Sequence, residues 1–200
     1  MAITNYATLA SAVASLLDVN YADISAVADV LIANGEKRIF REVRTRHMET
    51  AIATAIANGV IALPSDYVET RYAFVDGSPD QLLEMVPASF IYAKYPPGGD
   101  TGKPLYMAQD GGNLIFGPSP DSGYTVQLAY YRRLDAVQTS ATSFFLANTD
   151  LYCMAALLET DVVLGRDGRY PLWEGKYRMI KDLVNAETTK GRFSGPLTMR

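Results

Sequence analysis

Chemistry in a protein usually starts from histidine, cysteine or paired carboxylates, and this chain is poor in the first two. It has one histidine, His47, and one cysteine, Cys153. Zinc fingers, disulfide frameworks and multi-histidine metal sites need several such ligands, so all are excluded. A Ser-His-Asp or Cys-His centre would have to use His47 itself, which confines most catalysis to carboxylate, Lys or Tyr groups. His47 follows Arg46 at the end of a helical stretch, where a cation suits the helix dipole, and a polar helix-end residue outweighs a general base there. Cys153 lies in the apolar run LYCMAALL and reads as a small buried hydrophobe rather than a reactive thiol. Asp76 with Asp80, and Glu159 with Asp161, have the composition of a glycosidase pair. A chain with 22 acidic residues makes such pairs by chance, however. The GKP at residues 102–104 fails as a phosphate loop, because Pro104 stands where Ser or Thr is required, and it reads as a surface loop. No cofactor and no metal is called for.

Charge patterning says more than these residues do. The net charge is -4 with a pI of about 5.0, a balance opposite to that of a dedicated nucleic-acid binder. It is unevenly spread. Residues 36–47 hold five basic side chains (Lys37, Arg38, Arg41, Arg44, Arg46) against Glu36 and Glu42, and the last fifteen residues hold Lys190, Arg192 and Arg200 against Glu187. A basic helix and a basic tail therefore sit on an acidic body. Lys37, Arg41 and Arg44 follow i, i+4, i+7 spacing and so share a helix face. That face suits a solvated surface, a nucleic-acid contact or one half of a charged subunit interface. The acidic body favours the interface, because a head-to-tail ring sets one surface of each copy against a different surface of the next. On this reading Lys37, Arg38, Arg41 and Arg44 form the interface. Eight of the thirteen tyrosines fall between Tyr67 and Tyr131; amphipathic rings are enriched at interfaces and sugar-binding surfaces, with strand packing as the plainer role.

The elements that must position these groups follow from punctuation and period. The 200 residues suffice for a sizeable core, and 48% hydrophobic content is ordinary for a globular chain. Eight of the ten prolines fall in residues 64–120 and nine of the fifteen glycines in 59–123, so the centre is turn-rich and the ends are helical. The fold class expected is α+β: N- and C-terminal helices forming a helical bundle (1–47 and 148–190), a β-rich central insertion (48–147), and an extended arm (191–200). Helices are expected from Tyr6 with Leu9, Val13, Leu16 and Leu17 inward, and from Asp23 with Ile24, Val27, Leu31, Ile39, Phe40 and Val43 inward. Gly35 weakens the second helix, which allows a break or a close helix contact there. Asn58-Gly59 predicts a hairpin between 50–56 and 60–63, and residues 110–112 predict another. Residues 67–75 and 124–132 read as further strands, the latter with Val126, Leu128 and Tyr130 on one face. A helix is expected from residue 149 to the stop at Gly165, and a last one from Pro171 to before Gly191, with Leu172, Tyr177, Ile180, Leu183 and Val184 inward. The opening segment lacks the basic start of a signal peptide and any apolar run of about 20 residues, which places the chain in a reducing aqueous compartment with no membrane. The ending GRFSGPLTMR carries Phe193, Leu197 and Met199 without periodicity, so it is either disordered or laid along a partner.

Taken together, the opening ITNYATLASAVASLL, the helix ending EKRIFREVRTRHME, the segment GVIALPSDYVETR, the strand pair GGNLIFGPSPDSGYTVQLAYYRRL and the ending GRFSGPLTMR resemble the adaptor, or head-to-tail connector, proteins of tailed bacteriophages. The resemblance spans nearly the whole chain and is to the short-tailed type that docks beneath the portal ring. It implies a virion structural protein of the neck, assembled in the host cytoplasm, with no enzymatic activity. It also implies a homo-oligomeric ring, usually of twelve copies, that binds the portal protein on one side and tail or nozzle components on the other. DNA would pass through the channel without specific binding. Arg192, Phe193, Leu197, Met199 and Arg200 would then be the portal-contacting arm, and the β region would face the tail. A tail-completion or neck protein at another level of the stack, and a carboxylate-based peptidoglycan hydrolase of the virion, are the alternatives. The stretch PPGGDTGKP has no matched role.

Overall fold

A computed structural model describes residues 2–19, 21–56, 59–161 and 168–192. The fold is mixed α+β, and its described residues form six α-helices and two four-stranded sheets. It divides into two compact units, Met1–His47 with Leu134–Arg200, and Met48–Arg133. The first is helical and the second holds every strand. Residues 134–147, read from sequence as part of the β-rich region, cluster with the helices.

In the helical unit, α1 (Tyr6–Leu17) starts at a capping box: the Asn5 side chain accepts the Thr8 N–H, and Thr8 Oγ1 accepts the Asn5 N–H, each at 3.0 Å. It ends at Asp18 in the left-handed region, and Arg169 donates to the Leu16 and Leu17 carbonyls left open there. Helix α2 (Tyr21–Glu42) begins slightly before the expected Asp23 and buries Ala28, Leu31, Ile32 and Ile39 at helical spacing. Two further helices follow the β unit, the short α4 (Ser143–Ala147), capped by Thr142, and α5 (Thr149–Leu158). Every residue of α5 from Leu151 to Leu158 is buried, the mark of a helix surrounded on all sides. It is capped at Glu159, where Thr160 Oγ1 donates to the Leu157 carbonyl; residues 160–161 are helical again, and the expected stop at Gly165 lies outside the described residues. The last helix, α6 (Tyr170–Arg192), has Pro171 in its first turn and runs through Gly191 rather than stopping before it.

Gly35 is the close contact the sequence allowed for. A Cβ there would lie 2.8 Å from the Ala156 nitrogen and 2.9 Å from the Ala155 carbonyl carbon, both backbone atoms. Helices α2 and α5 touch main chain to main chain at this point.

In the β unit one sheet has the order β1-β8-β3-β4 and the other β2-β7-β6-β5. The strands are β1 (Glu49–Ala55), β2 (Val60–Ala62), β3 (Tyr67–Val75), β4 (Gln81–Leu82), β5 (Glu84–Met85), β6 (Tyr106–Asp110), β7 (Asn113–Gly117) and β8 (Thr125–Arg132). The hairpin expected at residues 110–112 is present: β6 and β7 pair antiparallel, closing at Asp110 opposite Asn113 with Gly111 at φ 57°. The one expected at Asn58-Gly59 is absent. Strand β1 pairs with β8 from Glu49↔Tyr131 to Ala55↔Thr125, and β2 pairs with β7 in the other sheet. A hairpin would have kept Ile56 and Ile61 in one sheet. Sending the chain across lets both enter a shared core from opposite sheets, with Val75, Val126, Leu128, Leu114 and Phe116. Gly59, at φ +77°, takes the turn; Asn58 lies outside the described residues. The short α3 (Ala88–Lys94) follows Pro87 and buries Ile91 against Ala108 and Ile115.

The Gly35 contact gives the first prediction. Gly35→Ala gains about 1 kcal/mol of helix propensity, but forcing a methyl into a backbone contact costs about 1–3 kcal/mol, and up to more where nothing can yield. Urea denaturation of this variant should show a net loss of stability; an unchanged or raised midpoint would show that the α2–α5 crossing is not tight.

Candidate subunit interface

The basic stretch of residues 36–47 resolves into groups with different roles. Arg38 leaves the cluster inward: its Nε lies 2.8 Å and its Nη2 2.7 Å from Glu159 Oε1, at the end of α5. Arg44 does not extend the α2 face as its spacing suggested, because the helix ends at Glu42. Its guanidinium folds back to donate to the Phe40 carbonyl at 2.7 Å and the Val43 carbonyl at 3.1 Å, closing acceptors that the helix end leaves open. Its backbone N–H reaches Asn185 Oδ1 at 3.5 Å. Glu42 pairs with Lys181 of α6 at 3.0 Å. Lys37 and Arg41 are exposed on the side of α2 away from the buried stripe. Among the described residues Lys37 donates one hydrogen bond, to Asn34 Oδ1 one turn back, and Arg41 has no hydrogen-bond or ion-pair partner.

Glu36, counted from sequence as a surface charge, is buried at 6% exposure. Its Oε1 accepts the Val137 N–H at 2.7 Å. Burial pushes its carboxyl above the usual range, and the bond from Val137 offsets part of that. Its position one turn after Ile32 and three residues before Ile39 put it on the apolar stripe, so the helical phase was the available signal. On α6 the buried residues are Trp173, Tyr177, Ile180, Val184 and Thr188. Leu172 and Leu183, expected inward, are 70% and 58% exposed, with Met179 beside them at 58%.

Most of the groups weighed for catalysis are engaged in structural contacts. His47 lies in a 3-10 turn (Arg46–Met48), its ring 5.9 Å from that of Phe144 and its Nδ1 3.5 Å from Ser143 Oγ. It borders a cavity of about 240 Å³ floored by Phe144 and Val184, with Arg46 and Glu187 at the rim. Among the described residues no carboxylate bonds to the imidazole, so the base-orienting partner of a triad is missing. Cys153 is buried, and burial raises its thiol to about 11, which keeps it protonated and inert at neutral pH. Of the carboxylate pairs, Glu159 is held by Arg38, Asp76 accepts from Gln127, and Asp80 accepts the Gly77 N–H. Lys103 donates to the Pro79 carbonyl and no helix follows it, so the loop before β6 is not a phosphate cradle. Among the described residues no group of three or more metal-ligating side chains occurs, and no helix is long and apolar enough to cross a membrane. Of the expected arm, Arg192 closes α6, while Phe193, Leu197, Met199 and Arg200 lie outside the described residues.

Two predictions follow from these placements. Arg38→Ala strands a mostly buried Glu159 carboxylate and Arg44→Ala reopens two carbonyls, so each should lower stability by about 1–2 kcal/mol. Lys37→Ala and Arg41→Ala should stay within about 0.5 kcal/mol of the parent; thermal melts of the four variants check the split. For Glu36, a folded-state pKa above the unfolded one means that stability is full in acid and declines as pH rises through the folded value. Glu36→Gln keeps an acceptor for Val137 without the buried charge. It should therefore exceed the parent in stability at pH 8, with the difference shrinking toward pH 4; a constant difference across that range would refute the charge-burial account.

No curated protein matched the chain. The family model of the SU10 adaptor protein matches residues 4–200, nearly the full length and both units. The chain belongs to the SU10 adaptor protein family.

Proposed function

We propose that this chain is a bacteriophage structural protein, a head-to-tail adaptor that assembles as a ring, with twelve copies as the expected number, and joins the portal protein to tail or nozzle components. The observation that carries the reading is the family match over residues 4–200. Other features support it. Most of the groups that would serve an enzyme are engaged in structural bonds or buried, which agrees with a non-enzymatic role. Lys37, bonded only to Asn34 of its own helix among the described residues, and Arg41, with no partner among them, stand outward on α2, as one half of a contact between copies requires. In this reading the helices form the bundle that packs side by side in the ring, the β unit is an insertion facing the tail, and residues 192–200 reach along the portal. Phe193, Leu197 and Met199 would supply the apolar anchors and Arg192 and Arg200 the charge. DNA passes through the ring without specific contacts, because a wall that gripped phosphates would resist sliding. The protein would reside in the neck of the virion and assemble in the host cytoplasm.

The test mixes purified chain with portal rings of the same phage and images the particles. The full chain should add a ring to the portal, whereas a chain ending at Lys190 should not bind. Equal binding by the two would remove the arm, and absence of any ring with the full chain would remove the adaptor reading.

A further inference from the structure

Helix α6 carries two seams. One (Trp173, Tyr177, Ile180, Val184) is buried in the helical unit, and the other (Leu172, Met179, Leu183) is an i, i+7, i+11 row left in solvent. Lys176 continues this outer row, and its long stem adds apolar surface between Leu172 and Met179. Asp182 and Glu187 flank the row, are exposed, and have no ion-pair partner among the described residues. On α2, the side opposite its buried stripe carries Val30, 48% exposed, with Lys37 and Arg41 at i+7 and i+11. The two rows have the same spacing; the α2 row is apolar at its N-terminal end and cationic beyond it, and carboxylates flank the C-terminal half of the apolar α6 row.

We infer that the outer row of α6 is the seat for the Val30–Lys37–Arg41 row of α2 from the neighbouring copy. This rests on the ring reading above and names the surface that Lys37 and Arg41 meet. The two rows cannot meet within one chain. Lys181, which reaches Glu42 of the same chain, lies on the opposite flank of α6 from Leu172, Met179 and Leu183. A contact between two different surfaces is the head-to-tail kind that closes rings. The direction also agrees. Arg169, just before α6, bonds the Leu16 and Leu17 carbonyls, just before α2, while Lys181 in mid-α6 bonds Glu42 at the end of α2. The two helices therefore run the same way in one chain, and a modest rotation between neighbours keeps that sense. With α2 and α6 parallel, Lys37 and Arg41, four residues apart, come level with Asp182 and Glu187, five apart. Val30, seven residues earlier, falls between Leu172 and Met179, roughly 10 Å up the helix at about 1.5 Å per residue. The contact thus places an apolar patch at one end and two exposed ion pairs at the other.

A charge exchange tests it with the full chain on portal rings. One variant carries Lys37→Glu and Arg41→Glu, the other Asp182→Lys and Glu187→Lys. All four positions are exposed, and circular dichroism checks that both variants fold. Each alone should lose ring formation, because every contact pairs like charges. An equimolar mixture should regain it, since alternating copies then oppose unlike charges at every contact, and native mass spectrometry should show the two variants in equal numbers. The proposal is overturned if either variant alone forms rings as the parent does, or if the mixture stays unassembled while the parent forms rings. A parent that forms no ring would instead defeat the adaptor reading and this contact with it.

Discussion

Gly35 sets main chain against main chain where α2 crosses α5, and much of the helical unit is arranged around that crossing. A helix buried on every face from Leu151 to Leu158 has no polar side to give to water, so its neighbours must cover it completely. Helix α2 can come this close only because position 35 has no side chain. The near approach brings Arg38 within reach of Glu159 at the end of α5, and Glu42 within reach of Lys181. Both ion pairs are partly shielded, so they fix how α2 and α6 are set against α5 more than they add stability. Because α2 and α6 each give one face to α5, each keeps an opposite or lateral face in solvent. The surfaces available to a partner are thus a by-product of how α5 is buried.

The β unit obeys a different constraint. Its two sheets are small, and neither has enough apolar surface to stand alone; one core formed from both inner faces does. This explains why the chain changes sheets after β1 instead of turning back. Strand β8 lies between β1 and β3 and is covered from both edges, so Ala129 and Tyr131 are buried as well as the expected Val126, Leu128 and Tyr130. Above the second sheet, Lys94 lies over the rings of Phe90, Tyr95 and Tyr106, at 4.7 Å from the nearest centroid. Several of the clustered tyrosines are in this way spent on packing within the unit.

What was legible in the sequence was periodic or sterically forced. The start of α1 and the Gly111 turn are local matters, and local chemistry decides them; Gly35 reads as either a weak point of α2 or a close approach, and the structure takes the second. What was not legible depended on which partner a segment would find. Asn58-Gly59 is a good hairpin turn in isolation, yet pairing β1 with β8 buries more. Leu183 and Val184 are adjacent and both apolar, and only the phase fixed by Trp173, Tyr177 and Ile180 decides which of them faces in. Glu36 followed the apolar phase, and its charge concealed it. Arg44 was in phase with Lys37 and Arg41, but the helix ends before it. The basic cluster was real as composition and divided as structure.

That division changes what the net charge means. A segment with a surplus of three positive charges would attract phosphate wherever it faced a DNA path. Once Arg38 is neutralised by Glu159 and Arg44 is turned onto backbone carbonyls, the outward charge of α2 is reduced to Lys37 and Arg41. Two exposed cations on this helix face are a weak lure for a duplex, because non-specific affinity grows with the number of phosphates neutralised. They are enough to orient a neighbouring copy, where complementary charge governs approach and register while apolar contact supplies most of the affinity. The same economy appears in the single histidine and the buried cysteine: where the described polar groups are bonded, they serve mainly to hold elements in place.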